Sequence, residues 1–151
     1  MNEQSLRELL EAVQDGRINT EDAITRLRQL PFESVGFATV DHHRAIRCGF
    51  PEVIFCAGKT VEQIRAIFGR LAEKGPSVLA TRATPEAHEQ VRIDFPDAEY
   101  CPMARTITLR RGGPVEPVGH IALVSAGTSD MPVAEEARVT AEIMGQRVTT
   151  H

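Results

Sequence analysis

Residues 40–60, VDHHRAIRCGFPEVIFCAGKT, gather two histidines, two arginines, two cysteines, two carboxylates and a lysine. Three chemistries could use such a run. His42 and His43 with the carboxylates could ligate a metal. Arg44, Arg47 and Lys59 could grip an anion, and a thiol could serve as nucleophile. A second stretch, AGTSD at 126–130, follows an apolar run and precedes a helix-like segment. Gly127, Thr128, Ser129 and Asp130 would then form a turn at a helix N-terminus, where amides and hydroxyls favour a phosphate. Pro132 fits the first turn of that helix, while Glu135 and Glu136 weigh against an anion. A simple helix cap explains the same spacing.

The spacing discriminates among these readings. Neighbouring side chains on a strand point to opposite faces, so Asp41, His42 and His43 need other segments to complete a metal site. Cys48 and Cys56 are separated by seven intervening residues, outside the usual zinc spacing. One of the histidines is expected to make a structural hydrogen bond instead. Ala57-Gly58-Lys59-Thr60 is not a phosphate-binding P-loop, because Val53 stands where the pattern needs its first glycine. Arg44, Arg47, Lys59 and Thr60 remain as an anion-binding set, with solvated surface charge as the plainer alternative. Asp41 is read as a carboxylate that orients His42, Arg44 or Arg47 rather than as a base. Cys48, Cys56 and Cys101 are read as small buried hydrophobes.

The elements that must position these groups follow from periodicity. Leu6, Leu9, Leu10 and Val13 predict a helix over 4–14, and Ala23, Ile24, Leu27 and Leu30 the buried face of a second. Together they form a helical hairpin over 1–31. Alternation from Val35 to Asp41 predicts a strand, and Glu52–Phe55 another. Val61, Ile64, Ile67, Phe68 and Leu71 line one face of a helix that Gly75 ends. Ser77–Ala83 is a strand, and Thr84-Pro85 a helix start. Ala98–Leu109 is extended with a bend at Pro102. This order predicts an N-terminal α/β domain, 1–112, with a mixed or partly parallel sheet. Glycines and prolines mark a linker at 113–118. Residues 119–151 then read as one βα unit, its apolar strand expected to be buried and parallel. Such a unit needs neighbours, so it is expected to pair with the first domain or another chain, or to open an incomplete second domain. Its free strand edge favours association.

The chain of 151 residues, 42% apolar and 25% charged, has ordinary globular composition. A net charge of −4 argues against a broad nucleic-acid surface, and no run of roughly 18 apolar residues predicts a membrane helix. Three cysteines without a CxxC pair, and no signal-peptide pattern, lead us to expect free thiols in the cytoplasm.

The 126–130 turn is similar to the G-S-x-S-D phosphate turn of the 5-aminoimidazole ribonucleotide carboxylase and mutase family. Ser129 and Asp130 match it, and Gly127 replaces its serine. More fully, the chain resembles the N-terminal part of the pyridinium-3,5-biscarboxylic acid mononucleotide synthase family. That resemblance rests on D-H-H-R-x-x-R-x-G-F-P-E-V-I at 41–54, G-K-T at 58–60 and A-G-T-S-D-x-P-V-A-E-E-A at 126–137. It implies that 119–151 begin a flavodoxin-like three-layer domain. It also implies an enzyme of nickel-pincer (lactate racemase) cofactor synthesis, acting on nicotinic acid adenine dinucleotide. The pyridinium ring is carboxylated with CO2 or bicarbonate, and the phosphoanhydride is cleaved to release AMP.

The implied site comprises Asp41, His42, Arg44, Arg47, Lys59 and Thr60 with Gly127, Thr128, Ser129 and Asp130. The nucleophilic cysteine is expected beyond His151. No tightly bound cofactor is implied; Mg2+, or arginine and lysine, would neutralise the phosphates. The full-length protein is expected to be a homo-oligomer. Two other readings are a non-catalytic nucleotide-binding or interaction module, and a metal-dependent phosphoesterase of the family named for its Asp-His-His triplet. The latter family's upstream Asp-x-Asp motif and glycine-rich C-terminal region are missing here.

Overall fold

The computed structural model describes residues 3–28, 32–34, 39–41, 50, 52–75, 77–111 and 116–151. Helices α1 (Glu3–Gln14) and α2 (Thr20–Arg28) form the expected hairpin. Gly16 turns the chain at φ 70°, and the Asp22 amide donates to the Asn19 side chain at 2.7 Å, capping α2. Leu9, Ala12 and Ala23 are buried, but Leu10 and Ile24 are 56% and 43% exposed. A pair of helices covers one contact line on each, so apolar residues flanking that line stay wet.

The predicted strand from Val35 is described only over its last three residues. Strand β2 (Thr39–Asp41) pairs antiparallel with β1 (Phe32–Ser34), which places Asp41 opposite Phe32 at the end of the ladder. The rest of the fold is built on a four-stranded sheet, with β3 (Val53–Phe55), β4 (Ser77–Thr81), β5 (Glu99–Cys101) and β6 (Thr106–Arg110) in the order β3-β4-β6-β5. Strands β3 and β4 are parallel, and the other pairs are antiparallel. The bend foreseen at Pro102 is the turn between β5 and β6.

Helix α3 (Val61–Lys74) joins β3 to β4, and α4 (Pro85–Asp94) follows β4. Ile64, Ile67, Phe68 and Leu71 recur at the spacing of one helix face and are all buried. They pack with Val91 of α4 and with Val78, Ala80, Ile107 and Leu109 of the sheet. Alternation along β4 sends Leu79 to the opposite face, where it meets Ala104 and Val139. Both faces of β4 are thus covered, which accounts for its unbroken apolar run.

Val139 belongs to α5 (Met131–Ile143), which lies between the parallel strands β7 (Gly119–Leu123) and β8 (Gln146–Thr150) in the chain. The C-terminal unit is therefore βαβ, adding a second strand to the βα pattern legible in the sequence. It packs on the first domain through α5, with Val139 and Ile143 beside Val53, Leu79, Ala104 and Cys101. Strand β7 is parallel as expected but not buried as expected. Among the described residues β8 is its sole strand neighbour, and Ile121 and Val124 remain exposed. No helix among the described residues is long and apolar enough to cross a membrane.

Candidate functional site: a basic cleft at the ends of β3 and β4

Because β3 and β4 are parallel, the helices that follow them both begin at the same sheet edge. Such an edge is the usual place for a ligand in α/β sheets. Thr60 caps α3 in a reciprocal arrangement: its Oγ1 accepts from the Gln63 amide at 3.3 Å, and its own amide donates to Gln63 Oε1 at 3.0 Å. Thr84 caps α4, accepting from the Ala87 amide at 3.3 Å.

Three chain segments are tied together here. The Cys56 amide donates to the Thr81 carbonyl at 2.9 Å, and the Ala83 amide to the Arg105 carbonyl at 2.7 Å. Gly58, at φ 79°, lets the chain turn from β3 toward α3, and Lys59 Nζ donates to the Phe55 carbonyl at 2.7 Å. The Tyr100 hydroxyl donates to the Ala83 carbonyl at 3.4 Å, while its ring stacks on His88 at 5.4 Å.

Between these segments lies an open cleft of about 540 Å³, lined by Cys56, Gly58, Lys59, Arg82, Thr84 and Arg105 among others. Its two arginines have unusual backbones, with φ of 55° at Arg82 and 53° at Arg105. They alone among described non-glycine residues have positive φ. The left-handed conformation costs an L-residue about 1–2 kcal/mol, and such strain tends to persist where function fixes a side chain. Arg82 Nε pairs with Glu136 Oε2 at 3.1 Å, so helix α5 reaches the rim of the cleft. Arg105 has no ion-pair partner among the described residues.

Cys56 lines the cleft but makes a poor nucleophile. Burial pushes its thiol up to about 11, partly offset by the Lys59 charge. At pH 8, alkylation mapped by peptide is expected to leave Cys56 unmodified in the folded chain and to modify it on unfolding. Equal labelling in both states would show the thiol to be open. Cys101 is half-buried on the other sheet face, where its Sγ donates to Glu135 Oε1 at 3.6 Å. Arg138 holds the Glu135 carboxyl below the usual range through bonds of 2.8 and 2.5 Å.

The sequence-derived set divides in three. Lys59 lines the cleft, and Thr60 caps the helix beside it, its hydroxyl already engaged. Gly127, Thr128, Ser129 and Asp130 form the exposed turn into α5, as the motif implied. The Asp130 amide donates to the Gly127 carbonyl at 3.0 Å, and the Asp130 side chain makes no capping bond. Among the described residues, the amides of Gly127, Thr128 and Ser129 have no acceptor. Glu136 is six residues past Asp130, roughly 9 Å along the helix axis. Helix α5 thus links the turn to the carboxylate that pairs with Arg82. His42, Arg44 and Arg47 lie outside the described residues, and Asp41 is described only as the last residue of β2. No three His, Cys, Asp or Glu side chains converge among the described residues.

Arg82 and Arg105 were not singled out by sequence reasoning. The available signal was the position of Arg82, between a strand and the Thr84-Pro85 helix start. A second cleft, of about 410 Å³ between α3 and α4, has its cations engaged. Arg65 pairs with Asp94 at 2.6 Å and Arg70 with Glu73 at 3.3 Å.

Fold and site together define an α/β domain with a basic cleft at one sheet edge, joined to a βαβ unit whose helix follows an exposed Gly127–Asp130 turn. Residues 32–111 match the LarB/PurE-like N-terminal domain, and the chain belongs to that family. Membership agrees with the resemblance read from the sequence. The chain is also similar to the uncharacterized protein MJ0165 of Methanocaldococcus jannaschii, with 31% identity over 153 residues. That match covers 97% of this chain and 60% of the relative, so the chain spans about 60% of that relative's length.

Proposed function

We propose that this chain is the substrate-holding N-terminal part of a pyridinium-3,5-biscarboxylic acid mononucleotide synthase. The whole enzyme would carboxylate the pyridinium ring of nicotinic acid adenine dinucleotide and cleave its phosphoanhydride, releasing AMP. The observation that carries this reading is the family match over 32–111 followed by the Ala126–Ala137 motif at the start of α5.

A pyridinium ring is too electron-poor to attack CO2. A thiolate added to it gives an enamine that can, and loss of the ring proton with expulsion of the thiolate restores aromaticity. The raised pKa of buried Cys56 weighs against that thiol as the nucleophile, which the resemblance puts beyond His151. The residues of this chain would instead bind. The turn at Gly127–Asp130 would hold a phosphate. Arg44, Arg47 and Lys59 would neutralise the dinucleotide's phosphates and carboxylate, and Asp41, His42 and Thr60 would position them. The setting would be a cytoplasmic homo-oligomer.

Titrating the dinucleotide into the chain while following AMP tests this. Binding without AMP release fits the substrate-holding role. Manganese-dependent AMP release without a carboxylated product would instead favour the phosphoesterase reading. Arg44→Ala is expected to weaken dinucleotide binding roughly tenfold, the worth of one charge-assisted contact. Unchanged affinity by calorimetry would remove Arg44 from the site.

A further inference from the structure

We infer that the cleft of Lys59, Arg82 and Arg105 is a binding site for a phosphate-class anion, in which Glu136 occupies the place of the anion on Arg82. The chain as a whole is acidic, at −4, yet this cleft gathers three cationic side chains from three separate segments. In the second cleft the arginines are matched by carboxylates, Arg65 by Asp94 and Arg70 by Glu73. Here the match is incomplete. Glu136 answers Arg82, and Lys59 donates to a carbonyl, while Arg105 has no acidic partner among the described residues.

The backbone strengthens the reading. Residues 82 and 105 adopt the left-handed conformation that glycine takes without penalty, yet both are arginine. The Ala83 amide bonded to the Arg105 carbonyl fixes the two strained positions side by side. Both arginines line the one cleft, and guanidinium groups supply the planar, bidentate donors that a phosphate accepts. The first turns of α3 and α4 open on the same edge and add the positive ends of two helix dipoles, although Glu62 and Glu86 already offset part of that field. The Arg82–Glu136 pair has its arginine side chain 46% exposed, so it is exchangeable. An arriving dianion would displace one carboxylate and take up two guanidinium groups.

The inference shares Lys59 with the proposed function but rests on the charges and backbone of this cleft. Inorganic pyrophosphate is therefore the probe, titrated into the 151-residue chain by calorimetry at fixed ionic strength. The wild-type chain is expected to bind it saturably. Arg105→Gly is expected to weaken it at least about tenfold without lowering Tm, because glycine accepts the positive φ. Glu136→Gln is expected to tighten it several-fold, because Arg82 is then free. No saturable binding by the wild type, or wild-type affinity in Arg105→Gly, overturns the site. Unchanged affinity in Glu136→Gln overturns the part given to Glu136. Dinucleotide binding by a chain that shows no saturable pyrophosphate binding would overturn this inference while leaving the proposed function standing.

Discussion

Phe68→Ala is expected to lower the free energy of unfolding by about 3–5 kcal/mol, the usual cost of emptying a buried aromatic site. Phe68 is 0% exposed and sits where α3, α4 and the sheet converge. Its ring packs against Phe95 at 5.7 Å with a 49° tilt, an arrangement that adds to simple burial. Refilling the void would require movement by residues fixed to two helices and three strands, so little collapse is available. In urea the midpoint should fall while the slope is preserved, since the same surface is exposed on unfolding. Phe55→Ala provides the comparison, because that ring is 58% exposed and should cost under about 1 kcal/mol. Similar losses for the two variants would contradict the packing described.

The second large effect concerns the contact between α5 and the sheet. Val139→Asp places a carboxylate among Leu79, Ala104, Val53 and Ile143. Leaving it there ionised and unpaired would cost several kcal/mol, more than a single helix contact returns. The helix is therefore expected to release rather than the whole domain to unfold. Amides of 131–143 should then lose hydrogen-exchange protection while those of β4 and β6 keep theirs. Cys101, now sheltered beside Glu135, should alkylate faster. Unaltered exchange in α5 would mean that the helix is held by something other than this contact.

Much of the first domain was legible because its signals are local. Ile64, Ile67, Phe68 and Leu71 announce a helix face, and Thr60 and Thr84-Pro85 announce its start and that of the next helix. Each matches the observed element because capping and periodicity act within one or two turns. The exposed state of β7 was not legible, since Ile121 and Leu123 state an affinity for apolar neighbours without saying whether any are present. Strand β8 was missed because Gln146–Thr150 is mostly polar, and its pairing is set by β7, a partner distant in the chain. Two of the cleft's three cations were missed for a different reason. Lys59 carries a recognisable loop-and-helix signature, but the sign of φ at Arg82 and Arg105 depends on how three segments close around one edge. The Gly127–Asp130 turn was legible because its motif is contiguous, whereas Arg82 and Arg105 are 23 residues apart in the sequence.

The family match spans 32–111, yet the apolar underside of the sheet is roofed by a helix at 131–143. Ancestry and cooperativity therefore draw their borders in different places. A recombinant piece cut at the end of the homologous segment would carry Leu79, Val53 and Ala104 into water as a greasy plateau, inviting self-adhesion. Any transplant of this module into another architecture would have to bring that helical roof along or supply a substitute.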